Sequence, residues 1–245
     1  MALHDYTFYD LINRNAVCYG NRTAWLEVDD QRTLSFAGVK QQVDRLAAGF
    51  RQAGVQKGDR IGVLGKNSLE YFLLYGAAAA IGAILLPINW RLSAEEVLFN
   101  LNDGTPRFLF VDAEYQPMIA SAKDRLPSVQ RCFNLKPPGG RFESFDSLSS
   151  GPAGFQPADI GDGDGLVIIH TAAVAGRPRG ALLSHRNFIS ANVQLNLLMH
   201  LSPADVHLNL LPLFHVGGLF MATMAFHAGA LNVNMSKFDA AQAVE

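Results

Sequence analysis

The chain has 245 residues, 49% of them hydrophobic, which is enough for one large domain or two small ones around a substantial core. Its 20 Lys and Arg residues nearly balance 22 Asp and Glu residues, so charge gives no reason to expect nucleic acid or anionic lipid as a partner. The two cysteines, Cys18 and Cys132, lie outside any Cys-x-x-Cys pattern, which disfavours a disulfide scaffold or a zinc ribbon.

Targeting and membrane signals are weak. The N-terminus carries acidic and polar residues where a signal peptide needs a basic start and an apolar run, so a cytoplasmic location is expected. Two uncharged stretches, Tyr71 to Ile88 and Val216 to Ser236, approach the ~20 apolar residues of a membrane helix. Because glycines, a proline and polar residues interrupt them, each is interpreted as a buried helix followed by a buried strand, with no transmembrane segment.

The first part of the chain alternates between strand and helix patterns. A hairpin is predicted for Thr23 to Val28 and Arg32 to Phe36, followed by a helix from Phe36 to Phe50 that Ser35 caps and Gly54 ends. Strands that alternate with helices pair in parallel. The later strands are predicted at Arg60 to Gly65, Ala83 to Ile88, Arg107 to Val111 and Val129 to Asn134, and the helices at Leu69 to Ile81, Ser93 to Asn102 and Glu114 to Arg125.

The stretch from Lys136 to Gly165 has four prolines and many glycines and serines, so we interpret it as a long surface connection. It divides the predicted fold, which is α/β with mostly parallel sheets covered by helices, into subdomains at 1–150 and 151–245. The second subdomain is predicted to have strands at Leu166 to His170, Ala181 to Leu183, His207 to Leu211 and Ala230 to Asn234, with helices at Arg186 to Met199 and Val216 to His227. Asp239 is expected to cap a further helix, and because only six residues follow it, we expect this subdomain to be incomplete at its C-terminal end.

A loop rich in small residues, Thr171-Ala-Ala-Val-Ala-Gly-Arg-Pro-Arg-Gly180, follows the buried strand Leu166 to His170. Such a loop is a recurrent way to hold phosphates, because backbone N–H groups converge on the anion. Arg177 and Arg179 can add charge-assisted hydrogen bonds. On these residues alone, an inert surface loop is an equal alternative, and neither a Walker loop nor the Gly-x-Gly-x-x-Gly fingerprint is present.

The stretch Ile169-His-Thr-Ala-Ala-Val-Ala-Gly-Arg-Pro-Arg-Gly-Ala-Leu-Leu-Ser-His-Arg-Asn187 resembles the signature of the adenylate-forming superfamily. In that signature an aromatic residue, Thr-Ser-Gly, two hydroxyl residues and Gly-x-Pro-Lys-Gly precede a Ser-His-Arg-Asn-like helix start. The segments Gly58 to Ser68, Gly82 to Leu92 and Leu211-Pro-Leu-Phe-His-Val-Gly-Gly218 resemble AMP-forming acyl-CoA synthetases in the same order. The resemblance covers about Tyr6 to Asp239.

This resemblance implies a ligase that activates a carboxylic acid, expected to be a fatty acid, with ATP and Mg²⁺ and then forms a thioester with coenzyme A. It places the phosphate contacts on Thr171, Ala172, Ala173, Val174, Ala175, Gly176, Arg179 and Gly180, and the acyl-substrate pocket at His215 and Gly217. No protein-held metal and no certain catalytic residue is expected within this chain. It is expected to be inactive alone, because the later motifs of the family lie downstream.

Departures from the pattern keep other interpretations open. Ala172, Ala173, Val174 and Ala175 stand where the family has Ser-Gly and two hydroxyl residues, so three side-chain donors are missing. A degenerate family member with a regulatory or scaffolding role is therefore an alternative, as is a structural module that pairs into a homodimer through an exposed sheet edge. The Gly217-Gly218 pair fits either a helix start close to the acyl site or simple close packing.

Overall fold

The computed structural model describes residues 6–137, 139–149, 155–171 and 177–244. The strands are β1 (Thr23–Glu27), β2 (Thr33–Ser35), β3 (Arg60–Leu64), β4 (Ile84–Ile88), β5 (Phe108–Val111), β6 (Arg131–Asn134), β7 (Gly165–His170), β8 (Gly180–Ser184), β9 (Val206–Asn209) and β10 (Leu231–Asn234). The helices are α1 (Phe8–Tyr19), α2 (Phe36–Gln52), α3 (Leu69–Ile81), α4 (Ala94–Gly104), α5 (Gln116–Ser121), α6 (Asp146–Ser149), α7 (His185–Met199) and α8 (Val216–Ala228). Short 3₁₀ turns cover Ala113–Tyr115, Lys123–Arg125 and Gln242–Val244.

The strands form two sheets. A six-stranded sheet has the order β6-β5-β3-β4-β7-β8, and a four-stranded sheet has the order β2-β1-β10-β9. Within each sheet, neighbours pair in parallel except at the hairpins β1–β2 and β7–β8. The predicted α/β class with mostly parallel sheets is confirmed. Both sheets contain strands from either side of residue 150, and the division into subdomains at that residue stays a prediction.

Helix α3 forms the centre of the core, since all thirteen of its residues are buried. One apolar cluster contains it together with residues of both sheets, such as Trp25 of β1 and Val167 of β7. Small residues let the neighbouring helices approach: a Cβ added at Gly76 would lie 2.6 Å from Val43 of α2 and 2.8 Å from Ile12 of α1. Among the described residues, no helix has both the length and the apolarity to cross a bilayer.

Several predicted elements are confirmed, and side chains cap their starts. Ser35 and Ser93 cap α2 and α4, each accepting a backbone N–H of the first turn. The Asp239 carboxylate accepts the N–H groups of Ala241 at 2.9 Å and Gln242 at 3.1 Å, and the turn that it caps is 3₁₀. Local side-chain chemistry therefore sets these boundaries.

Three features of the structure differ from what the sequence predicts. Helix α1 was not predicted, although Thr7 and Asp10 form a reciprocal capping box at its start. The single helix predicted over Glu114 to Arg125 is wrong, because α5 covers only part of that range and is flanked by two 3₁₀ turns.

The segment from Lys136 to Gly165 is also more than a surface connection. It contains α6, and its Phe145 and Leu148 side chains are buried in the core. Helix α6 lies so close to α2 that a Cβ added at Gly49 would lie 1.9 Å from the Leu148 carbonyl oxygen. One aromatic and one aliphatic side chain are therefore enough to hold this Pro-, Gly- and Ser-rich segment against the core.

Buried polar side chains form a row across the four-stranded sheet. Asn209 donates to Asn234 Oδ1 at 2.9 Å, and Asn234 donates to both Glu27 carboxylate oxygens at 3.1 and 3.2 Å. Trp25 Nε1 donates to the same carboxylate at 2.6 Å. Glu27, Asn234 and Asn209 are register partners on three parallel strands, so the row crosses the sheet at one level.

Burial raises the pKa of Glu27 to about 7, against an ordinary value of 4.5. The folded state therefore binds more protons than the unfolded state between these values, and the free energy of unfolding falls as the pH rises through that window. We expect a loss of roughly 2 to 3 kcal/mol between pH 5 and pH 8 from this group. Urea denaturation of the wild type and Glu27→Gln across this range checks it: the difference between their unfolding free energies should change with pH, and parallel curves would contradict the assignment.

Candidate functional site

The predicted phosphate loop begins at the carboxyl end of β7 and returns along β8. The Thr171 N–H donates to the Arg179 carbonyl oxygen at 3.0 Å, and His170 pairs with Gly180 in the hairpin register. These bonds close the base of the loop. Ala172, Ala173, Val174, Ala175 and Gly176, to which phosphate contacts were also assigned, lie outside the described residues.

The described cations of the loop are accessible. Arg177 and Arg179 are both exposed, and the Arg177 guanidinium carbon lies 5.8 Å from the centroid of the Phe99 ring. Arg179 has no ion-pair partner within the ranges that the structure describes. Because Arg177 lies against the Phe99 ring, Arg179 is the loop cation better placed to bind an anion. A Cβ added at Gly180 would lie 2.8 Å from Ile168, so strand packing alone accounts for a glycine there.

Asn67 connects the end of β3 to the segment that follows β9. Its Nδ2 donates to the Leu211 carbonyl at 2.9 Å, and its Oδ1 accepts the Leu213 N–H at 2.8 Å. Tyr75 OH donates to the Leu213 carbonyl at 3.0 Å. The Asn67 side chain is buried, so both halves of its amide are satisfied by one backbone segment. This clamp holds the approach to His215 against the six-stranded sheet.

His215 is exposed and forms the N-cap of α8, where its Nδ1 accepts the Gly217 N–H at 3.1 Å. An acceptor at Nδ1 implies that the neutral ring carries its proton on Nε2. The ring therefore offers an N–H donor beside a helix N-terminus, an arrangement suited to a carboxylate. A histidine in an apolar segment is often a core residue, and the exposure of His215 excludes that alternative here.

The end of β4 meets the same region through aromatic contacts. Trp90 and Phe214 pack edge to face with ring centroids 6.4 Å apart. The Arg91 guanidinium carbon lies 4.9 Å from the Trp90 ring centroid and 6.0 Å from that of Phe214. A small cavity beside them is lined by residues that follow β3, β4, β9 and β10, among them Asn67 and Lys237. The carboxyl ends of both sheets thus meet at one crevice, where open α/β sheets usually bind ligands.

This arrangement relates the two predicted subsites. Strand β7, which leads into Thr171, pairs in parallel with β4, which leads into Trp90. Trp90 contacts Phe214, the residue before His215. The described start of the predicted phosphate loop is therefore linked to the predicted acyl-pocket histidine through the neighbouring strand β4 and the contact between Trp90 and Phe214.

Asp112 lies at the same edge and was not predicted. It follows β5, is buried, and accepts the Lys66 N–H at 2.8 Å, with Lys136 Nζ at 3.7 Å from the same oxygen. Burial raises the pKa of Asp112, and the two lysines act against that rise. Its position directly after the apolar strand β5 is the sequence feature that could have identified it. By accepting the Lys66 N–H, the Asp112 carboxylate orders the chain at the ends of β3 and β5.

Ser184 and His185 are structural. Ser184 caps α7 in a capping box with Asn187, and His185 is buried, with its Nδ1 accepting the Phe8 N–H at 3.1 Å. Burial lowers the pKa of His185 to about 4, so the ring is neutral near pH 7. The described residues contain no group of three or more His, Cys, Asp or Glu side chains placed to hold a metal ion.

Comparison with known proteins gives consistent matches along the chain. The model of the family described as "AMP-binding enzyme" matches residues 12–245. An indoleacetate–CoA ligase from Aromatoleum aromaticum is 37% identical over 214 residues, covering 86% of this chain and 42% of that protein. A fatty acid–[acyl-carrier-protein] ligase from Streptomyces coeruleorubidus is 31% identical over 220 residues, covering 87% and 41%.

Solved structures agree. A protein from Rhodopseudomonas palustris CGA009, named as a long-chain-fatty-acid CoA ligase, matches with a TM-score of 0.92 and 40% identity over 99% of this chain and 60% of that chain. The chain spans less than half the length of the two curated relatives above.

The Gly217-Gly218 pair gives a test of how the His215 segment is held. A Cβ added at Gly218 would lie 2.3 Å from the Pro212 carbonyl oxygen, whereas at Gly217 the nearest atom is His215 Nδ1 at 3.3 Å. We expect Gly218→Ala to be less stable than Gly217→Ala by about 1 to 3 kcal/mol, the usual cost of overpacking. Urea denaturation of both variants measures the difference, and equal stabilities would show that Gly218 is not packed as described.

Proposed function

Because the chain belongs to the AMP-binding enzyme family, we propose that the protein acts as an acyl-CoA synthetase, with this chain supplying the phosphate loop and part of the acyl pocket. In the proposed reaction a substrate carboxylate oxygen attacks the α-phosphorus of ATP and pyrophosphate leaves. The thiol of coenzyme A then attacks the carbonyl carbon of the acyl adenylate and AMP leaves. The observation that supports this best is that β7, which leads into the loop, pairs with β4, and that Trp90 after β4 contacts Phe214 beside His215.

In this proposal the loop from Thr171 to Gly180 binds the outer phosphates. Thr171 and the arm from Arg177 to Gly180 stand at the carboxyl end of β7 with their exposed cations. Arg179 presents a planar guanidinium, which can bind two phosphate oxygens at once. Where the family has lysine, arginine keeps the charge and changes its reach.

His215 is proposed to bind on the acid side. Its Nε2–H can donate to the carboxylate of the incoming acid, while the Gly217 N–H fixes the ring through Nδ1. Phe214 and Trp90 supply an apolar and aromatic wall next to it. A hydrogen bond of this kind orients the carboxylate for attack on ATP, which lowers the entropic part of the barrier.

Mg²⁺ fits this arrangement as a companion of the nucleotide. The ion commonly keeps several waters and binds through substrate phosphates and one or two carboxylates, so a phosphate cradle suits it without a protein cage. The protein groups in the proposal act by binding and orienting the phosphates that carry the ion.

The alanine-rich part of the loop favours one further candidate, a degenerate family member that binds nucleotide weakly and does not turn over. Each missing charge-assisted donor costs about 1.5 to 3 kcal/mol if backbone groups do not replace it. Against this, Arg179 and the whole His215 segment retain the expected groups, and we favour the enzyme.

ATP–pyrophosphate exchange by the complete gene product tests the choice. With a panel of aliphatic and arylalkyl carboxylic acids, we expect exchange that depends on the acid. Labelled pyrophosphate can enter ATP only by reversal of the first step, which requires that the acyl adenylate has formed. Absence of exchange with every acid, in a protein that still unfolds cooperatively, would favour the degenerate alternative. Radiolabelled pyrophosphate provides the readout.

Substitutions at Arg179 and His215 separate the subsites. Arg179→Ala should raise the KM for ATP by roughly tenfold or more, since one charge-assisted phosphate contact is lost, while Arg179→Lys should lose much less. His215→Ala should raise the KM for the acid and leave that for ATP nearly unchanged. Steady-state kinetics on each substrate measure this, and a reversed pattern would contradict the assignment of the subsites.

A further inference from the structure

A histidine–carboxylate pair lies at the base of the loop, apart from the proposed contacts at Arg179 and His215. His170, the last residue of β7, has Nε2 2.8 Å from Asp103 Oδ2 of α4. The two side chains are unequally exposed, 4% for His170 and 47% for Asp103. Asp103 therefore reaches from the surface to a ring that is almost fully enclosed beside the loop.

A second contact from the same helix reaches the other arm of the loop. The guanidinium carbon of Arg177 lies 5.8 Å from the centroid of the Phe99 ring, which is half-buried. Phe99 and Asp103 are four residues apart in α4, so they share one face of the helix. One helix face thus contacts the strand that enters the loop and the arm that leaves it.

Helix α4 is well suited to hold these arms in place. A Ser93–Glu96 capping box fixes its start, and the Thr105 N–H closes its end on the Leu101 carbonyl at 2.8 Å. Val97, Leu98 and Leu101 are buried in a second apolar cluster with residues of β4 and β5. Functional groups held on such rigid elements keep their geometry better than groups on unsupported loops.

We propose that Asp103 and Phe99 are positioning residues for ATP, which hold the arms of the phosphate loop through His170 and Arg177. This rests on the proposed function of the loop. The sign of the Asp103 effect discriminates between roles: a carboxylate near a polyanion repels it, so removal of that charge alone would tighten ATP binding. A positioning role predicts the opposite, because the ring and the loop lose their anchor.

Asp103→Asn tests the proposal, with Glu95→Gln as matched control. Glu95 lies on the same helix, and its ion pair with Arg125 has an Nη2 to Oε2 distance of 2.6 Å, so the same chemical change there breaks a pair away from the loop. In the complete gene product we expect Asp103→Asn to raise the KM for ATP about fivefold or more, because asparagine can keep only a neutral hydrogen bond where aspartate makes a charge-assisted one. The kcat should stay within about twofold, because no reacting group changes. Asp103→Glu should retain most of the affinity, and Glu95→Gln all of it.

A readout without activity keeps the outcomes distinct. In the 245-residue chain, trypsin cleavage at the Arg179–Gly180 bond reports opening of the hairpin, and Asp103→Asn should speed it several-fold while Glu95→Gln does not. If Asp103→Asn fails to fold, Phe99→Leu replaces it. This variant keeps an apolar side chain but loses the ring that contacts Arg177, and it should also speed cleavage at the Arg179–Gly180 bond. If wild type shows no exchange, the proposed function fails while cleavage still decides this proposal. Equal cleavage rates, or an unchanged or lower KM for ATP in Asp103→Asn, would overturn it.

Discussion

The Asn67 clamp is the interaction on which the rest of the site depends. One buried side-chain amide satisfies a carbonyl and an N–H of the segment that follows β9, and so joins the carboxyl ends of two separate sheets. Without it, the Leu213 N–H would be unpaired in a buried position, at a cost of about 1 to 3 kcal/mol, and the carbonyl of the exposed Leu211 would lose its side-chain donor. Helix α3, which begins two residues after Asn67 and packs between the sheets, carries this constraint into the core. The crevice is therefore a product of core packing and does not depend on its loops alone.

The same edge shows how polar groups are distributed in this fold. Glu27, Asn234 and Asn209 cross one sheet as a buried row, and Asp112 lies buried at the end of the other. Within the described residues the row is satisfied except at Asn209 Oδ1, which is buried without a hydrogen-bond partner. Here the bonds run between strands that are distant in sequence, so they specify strand order as well as stability. His215 and Arg179, in contrast, are exposed, and both are ligand contacts only in our proposal.

Most elements could be predicted from the sequence because local signals define them. Ser35 and Ser93 cap helices, Gly82 ends α3 with φ of +73°, and apolar runs mark the parallel strands. What could not be predicted depends on contacts between distant residues. The His170–Asp103 pair spans 67 positions, and the clamp on Leu211 spans 144. The inward packing of Phe145 and Leu148 was missed because the surrounding Pro, Gly and Ser residues are typical of a surface loop.

We propose that the phosphate loop and His215 bind two parts of one ligand across this crevice. A crystal structure of the complete gene product with a non-hydrolysable mimic that joins an acyl group to the α-phosphate of ATP tests this most directly. We expect the outer phosphates of the mimic beside Thr171 and Arg179, with the acyl carbonyl within hydrogen-bond reach of His215 Nε2. A mimic bound elsewhere, or an acyl group directed away from His215 and Trp90, would contradict it.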